Sequence, residues 1–173
     1  YTVFDENEQK IAAEGSYVLS PKDLCGLETI PELIEAGVDS FKIEGRMKRP
    51  EYVAVCVEAY RKIVDAYVEG RFSKQLVECC KKEMAEIFNR GGFTKGYYHQ
   101  KNGKNMMSVK YPGNIGVEIG TLIAVKKNQV IIQLKENVSK GDLLVVKTKK
   151  EEITLTCNQA LKSGERLTLN APK

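Results

Sequence analysis

Five residues in one short stretch carry side chains able to do chemistry: Cys25, Lys42, Glu44, Arg46 and Lys48. Lys42, Glu44 and Arg46 alternate, so a strand would set all three on one face. The planar fork of Arg46 suits a carboxylate ligand. Glu44 could orient Arg46 or take part in proton transfer. The same charges would serve equally as an internal ion pair that fixes the strand. Arg46, Lys48 and Arg49 form a basic cluster that could meet RNA phosphate, or simply be a solvated loop. On its own, Cys25 reads as a small buried hydrophobe beside an apolar helix.

The elements that must position these residues read as helix, strand, helix, helix. Ser20-Pro21-Lys22-Asp23 has a capping-box pattern with proline at the first helical position, and a short helical turn is expected there. Thr29 and Glu32 form a second such pair, ahead of the apolar stripe Ile30, Leu33 and Ile34, and Gly37 closes that helix. Val38 to Ile43 is expected as a strand, with Phe41 and Ile43 on one face and Lys42 and Glu44 on the other. Pro50 opens a helix whose Val53, Cys56, Tyr60, Ile63 and Tyr67 share a face, and Gly70 ends it. Ser73 caps another, with Leu76, Cys80, Met84, Ile87 and Phe88, stopped at Gly91-Gly92. Upstream, residues 2–19 read as a β-hairpin with a polar tip.

Residues 93–114 show no periodicity and read as a linking loop. After Ile115 the pattern is all β, with strands expected at 116–125, 128–135, 142–148, 151–157 and 166–170. Turns fall at Lys127-Asn128, Lys140-Gly141-Asp142 and Ser163-Gly164. Short strands with close turns suggest a small closed barrel. The expected organisation is therefore 1–92, a link over 93–114, and a β-barrel domain over 115–173. A lone buried strand needs neighbours, so the first part reads as a piece of a larger α/β sheet. The start at Tyr1, directly in a strand-like run, reads the same way.

The chain has 173 residues, 42% hydrophobic and 29% charged, as for a globular protein. No apolar run approaches the roughly 20 residues of a membrane span. A net charge of +4 is compatible with RNA but is equally a solvated surface. The five cysteines are Cys25, Cys56, Cys79, Cys80 and Cys157, with one histidine, and no pair has C-x-x-C spacing. That pattern argues against a zinc site and a disulfide framework, and for a reduced, cytoplasmic protein. Cys56, Cys79 and Cys80 fall on helix faces and read as structural. Tyr97, Tyr98 and His99 lie among Lys95, Lys101 and Lys104. Aromatics among cations suit nucleotide stacking, or packing between domains. His99 has no identifiable Ser, Cys or Asp partner for a triad.

The run DLCGLETIPELIEAGVDSFKIEGRMKRPEYVAVCVEAYRKIVDAY closely resembles peptidase family U32, whose members carry collagenase-like names. The later run NRGGFTKGYYHQKNGKNMMSVKYPGNIGVEIGTL resembles the link into that family's C-terminal β domain. The resemblance covers nearly the whole chain. It implies an α+β two-part fragment: the last βα units of a TIM-like barrel, followed by a small all-β barrel. It also implies a parent enzyme that is a prephenate-dependent, oxygen-independent tRNA wobble-uridine hydroxylase with a four-iron four-sulfur cluster. Alternatives are a collagenase-like peptidase, or an RNA- or protein-binding accessory module. Cys25 matches the family's last cluster cysteine, so it is expected as the fourth iron–sulfur ligand of the full-length protein. The other ligands would lie upstream, and the fragment itself would hold no cluster and be inactive. Glu44 and Arg46 are then the candidate catalytic residues at a barrel strand end. Lys42, Arg46 and Lys48 are the candidate substrate-binding residues, with prephenate as the implied carboxylate. The expected partners are tRNA or other RNA and the N-terminal barrel of the same polypeptide. The turn Val138-Ser139-Lys140-Gly141-Asp142 is similar to turns in β-barrel domains of translation factors, a fold-level analogy that favours an RNA-contacting or substrate-covering role.

Overall fold

The computed structural model describes residues 2–11, 15–99, 103–126, 128–147 and 152–170. Lys101, Lys127 and the expected strand start at 151 lie outside them. Two compact units divide the chain, Tyr1–Val117 and Glu118–Lys173. No helix among the described residues is long and apolar enough to cross a membrane.

The first unit is built on three helices. α1 spans Ile30–Glu35, α2 Pro50–Val68 and α3 Lys74–Ile87. α2 begins where expected, because Pro50 lacks the N–H that a first helical turn leaves unsatisfied and has a preset φ. It buries Cys56, Ala59, Ile63 and Ala66, a stripe rotated slightly from the expected one. Val53 stays 37% exposed off that stripe. Ser73 caps α3, its hydroxyl accepting from the Leu76 N–H at 3.2 Å. α3 buries Val77, Cys80 and Met84. Leu27, Ile30 and Ile63, all at 0% exposure, join these residues in one core with Cys25. Each such side chain contributes about 1.5–3 kcal/mol through burial. Gly37 ends α1 at φ 82°, a conformation in which a side chain would be strained. The polar tip of the expected hairpin forms: Phe4 bridges Lys10, and the Asp5 carboxylate accepts from the N–H of Asn7 and of Gln9. Tyr17–Leu19, expected in the second arm, are in no strand, because the Tyr17 N–H goes to the Val109 carbonyl, and residues 12–14 lie outside the described ones.

Four further expectations in this unit meet a different outcome. The helical turn at Ser20–Asp23 is absent. Pro21 forms a bridge with Met107, and β1 (Asp23–Leu24) pairs in parallel with β2 (Phe93–Thr94). The capping pattern there is overridden by this pairing with a segment 70 residues on, Asp23 to Phe93. Thr29 makes no capping bond; a 3-10 turn over Leu27–Thr29 leads directly into α1, and Thr29 is 3% exposed. Residues 93–114 are not a free link. Lys22 N–H donates to the Met106 carbonyl, Ser108 N–H to that of Ser20, and Tyr17 N–H to that of Val109. These scattered bonds, with the 3-10 turn Lys104–Met106, hold the segment without any period for a sequence to display.

The fourth concerns Val38–Ile43, which is in no strand. Its side chains nevertheless alternate as a strand's would. Phe41 and Ile43 are half-buried against the helical core, while Lys42 and Glu44 are exposed. Among the described residues, no backbone hydrogen bond joins 39–44 to another segment. The local pattern is that of a strand, and a ladder partner is what it lacks.

The second unit holds β3 (Gly120–Lys126), β4 (Gln129–Leu134), β5 (Leu143–Lys147), β6 (Glu152–Thr156) and β7 (Arg166–Asn170). Four fall inside the expected spans, while β3 starts four residues later than the expected 116 and runs one past the expected 125. Among the described residues, the ladders form an antiparallel sheet in the order β3-β4-β7 and a hairpin β5-β6. Inward residues of both sheets, among them Val130, Ile132, Leu144, Val146, Leu155, Leu167 and Leu169, share a single core. A bulge between Leu122 and Ala124 shifts the β3 register.

Candidate functional site

Asp23 is the centre of a charged cluster at the edge of the helical core. Its Oδ1 accepts from the Arg90 guanidinium at 3.3 Å and lies 3.9 Å from the Lys48 ammonium. The three side chains are 14–21% exposed. The Lys48 Nζ also sits 2.9 Å from the Phe88 ring centroid and 5.0 Å from that of Tyr52, which itself stands edge-on to Phe88 at 5.9 Å. Burial holds the Lys48 ammonium below its usual range, against the pull of Asp23. Asp23 Oδ2 and Arg90 Nε are buried with no protein partner. A carboxylate oxygen and a guanidinium N–H in that state are costly unless something polar meets them.

Two positions beyond Asp23, Cys25 is 4% exposed, its N–H bonded to the Thr94 carbonyl at 2.9 Å. Burial pushes its thiol up, so it is protonated at neutral pH. Cys56, also buried, is pushed up for the same reason, with a hydrogen bond from Tyr52 opposing the shift. The Tyr60 hydroxyl accepts from the Gly26 N–H at 2.9 Å, and burial pushes its own titration up to about 12. α2 therefore supplies Tyr52, Cys56 and Tyr60 to the neighbourhood of Cys25.

Of the expected site residues, the fold brings Lys48 toward Cys25, through Asp23. Lys42, Glu44 and Arg46 are exposed on the unpaired segment. The Glu44 carboxylate accepts from the Arg46 backbone N–H at 2.8 Å, so it shapes the turn and leaves the guanidinium outside. That turn closes with Lys48 N–H on the Gly45 carbonyl and puts Met47 at φ 65°. Asp23, Arg90 and Tyr60 were not singled out from sequence. Asp23 had a plausible role as part of a capping pattern. Arg90 and Tyr60 carry no local signal, because their partners lie 67 and 34 residues away.

His99 does find partners. Its Nε2 is 3.4 Å from Thr29 Oγ1 and its Nδ1 is 3.8 Å from Glu32 Oε2. Nearby, Glu28 takes Lys81 and Lys95, whose hydrogen bonds lower its carboxyl to about 2.

An iron–sulfur cluster of the implied kind needs four thiolates. Among the described residues no group of three His, Cys, Asp or Glu stands ready to hold a metal. Cys25 is the right ligand type for one corner of such a cluster.

A family model described as Peptidase family U32 matches residues 1–108. An uncharacterized protease of Methanocaldococcus jannaschii is 36% identical over 79% of this chain and 35% of its own length. The tRNA hydroxylation protein P1 of Bacillus subtilis is 39% identical over 57% of this chain and 25% of its own length. The 23S rRNA 5-hydroxycytidine C2501 synthase of Escherichia coli is 30% identical over 95% of this chain and 26% of its own length. The chain thus spans about a third or less of these relatives. No solved structure matches it. With more than half of its residues inside the family match, this chain belongs to peptidase family U32.

Proposed function

We propose that this chain is the C-terminal part of an RNA hydroxylase, acting on tRNA without oxygen and with prephenate as the oxygen donor. The observation that carries this reading is the similarity to an rRNA hydroxycytidine synthase along 95% of the chain, together with a tRNA hydroxylation protein. Residues 1–117 then complete a TIM-like barrel whose other strands lie outside this chain, with 39–44 as one of its staves. Residues 118–173 form the appended β domain. Cys25 supplies one of four cluster thiolates, and the others come from the remainder of the protein. Asp23 holds Lys48 and Arg90 at the rim of that site. Lys42 and Arg46, both exposed, are left to meet anionic substrate groups, and Glu44 fixes the turn that presents Arg46. The protein works in the cytoplasm, where tRNA is.

The test is a deletion strain analysed by mass spectrometry of tRNA nucleosides. Loss of a hydroxylated uridine, restored by the wild-type gene but not by Cys25→Ala, supports the reading. An unchanged nucleoside profile overturns it.

Peptide hydrolysis is the second reading, and one observation favours it. Thr29, His99 and Glu32 follow one another in the order nucleophile, base and orienting acid. Against it, Thr29 is 3% exposed, so its hydroxyl cannot reach a peptide without local opening. Peptide cleavage that survives Cys25→Ala and is abolished by His99→Ala would establish this reading over the first.

A further inference from the structure

Beside Cys25 lies a groove of about 610 Å³ lined by Pro21, Lys22, Leu24, Thr94, Gly96, Tyr97, Tyr98 and Met106. Its floor is β1 and β2, and Leu24 and Thr94 directly flank the bond that holds Cys25 in place. Two glycines shape its wall. Gly96 has φ 59°, and a β-carbon there would come within 2.9 Å of Leu24 Cδ1. A β-carbon on Gly26 would lie 3.2 Å from the Tyr98 ring. A side chain at Gly96 would crowd Leu24 and strain a left-handed backbone, and one at Gly26 would press on Tyr98. Tyr97 is 73% exposed, Leu24 54% and Tyr98 44%.

Apolar surface of this kind attracts a protein segment, a flat ring or a lipid, and charge decides among them. Among the described residues, the lining holds one charged side chain, Lys22, and no Asp or Glu. An apolar polypeptide would desolvate Lys22 without answering it. A polyanion carrying planar rings answers both features at once, phosphate for the lysine and a ring face for the tyrosines.

We propose that this groove holds a base of single-stranded RNA, stacked on Tyr97 and walled by Leu24 and Met106, with Lys22 on the neighbouring phosphate. The inference rests on the RNA-hydroxylase reading and names the surface on which the substrate strand lies. Because Leu24 adjoins Cys25, a base held there sits next to the proposed reaction centre.

The experiment uses this chain and a fluorescent single-stranded oligouridylate, followed by anisotropy over a salt series. Tyr97→Ala is expected to weaken binding roughly tenfold or more, and Tyr97→Phe to leave it nearly unchanged. Lys22→Ala is expected to lower the salt slope by about one counterion. An abasic oligomer of the same length should bind as weakly to wild type as oligouridylate does to Tyr97→Ala. Equal binding of the abasic and uridine strands, or an unaltered affinity of Tyr97→Ala, overturns the proposal. So does hydroxyl-radical footprinting of the full-length protein that finds Tyr97 protected before RNA is added, since a segment of the protein itself would then fill the groove. Tyr97 is mostly exposed, so its variants leave the core intact, and circular dichroism verifies this. Because binding is read separately from nucleoside modification, an enzyme that hydroxylates tRNA with an inert groove rejects this inference alone.

Discussion

The two units of this chain answer their own bonding needs to different degrees. In residues 118–173 every strand pairs with a partner inside the unit, and inward residues alternate with outward ones along β5 and β7. In residues 1–117 the helices pack well, yet 39–44 alternates like a strand with no ladder to join. That unit also keeps a buried carboxylate oxygen and a guanidinium nitrogen unpartnered. Among the described residues, the strands of the β unit are paired within it, while the helical unit keeps an unpaired extended segment and unpartnered polar atoms at its edge.

The sharpest way to break this contrast is to empty each core in turn. Leu167→Ala and Ile63→Ala each remove a side chain with 0% exposure and should cost about 2–5 kcal/mol. Amide exchange should show Leu167→Ala deprotecting β3, β4 and β7 while α2 keeps its protection, and Ile63→Ala doing the reverse. Loss of protection in both units from either variant would mean that they unfold as one.

Asp23→Ala comes next in size. It leaves Lys48 and Arg90 without their shared carboxylate, at a cost of about 1–3 kcal/mol. This is less than the ~3–5 kcal/mol of a fully buried pair, because these groups keep some solvent. Denaturant melting measures the loss, and Asp23→Asn should recover part of it by accepting from Arg90. Ser73→Ala should cost about 1 kcal/mol through the missing cap on the Leu76 N–H, with exchange quickened in the first turn of α3 only.

The smallest effect concerns pH. Glu28 titrates near 2 in the folded chain because Lys81 and Lys95 hold its charged form. A carboxyl lowered on folding adds stability above its unfolded value, and that stability is lost as pH falls from about 4 toward 2. Glu28→Gln should therefore flatten the acid limb of a stability profile slightly, since the pair is partly screened by solvent. An unchanged acid limb would show that the two lysines contribute nothing there.

What was legible from sequence follows the same division. Pro50, Gly70, Ser73 and the paired turns act on neighbours within a few residues, and α2, α3 and four of the five strands of the β unit appeared where these signals put them. Cys25 and Lys48 were also visible as side chains with chemistry. Asp23 was hidden because its capping pattern was locally sensible and its parallel partner lay far along the chain. Tyr60 read as one more apolar position of α2, although its hydroxyl holds the Gly26 N–H. The segment 93–114 was opaque for another reason. Its bonds to 17–22 go backbone to backbone, and such bonds leave no mark on residue type.

The unpaired segment at 39–44 has a practical consequence for anyone handling the isolated chain. Backbone donors and acceptors along an extended, alternating stretch are a template for any other extended stretch. Two copies meeting there could zip together, with Phe41 and Ile43 already turned inward and Lys42 and Glu44 outward. The like and unlike charges of those outward residues would set the register. Solution studies of this chain are therefore best made dilute, and a concentration-dependent rise in apparent mass would be the first sign that copies have paired along this segment.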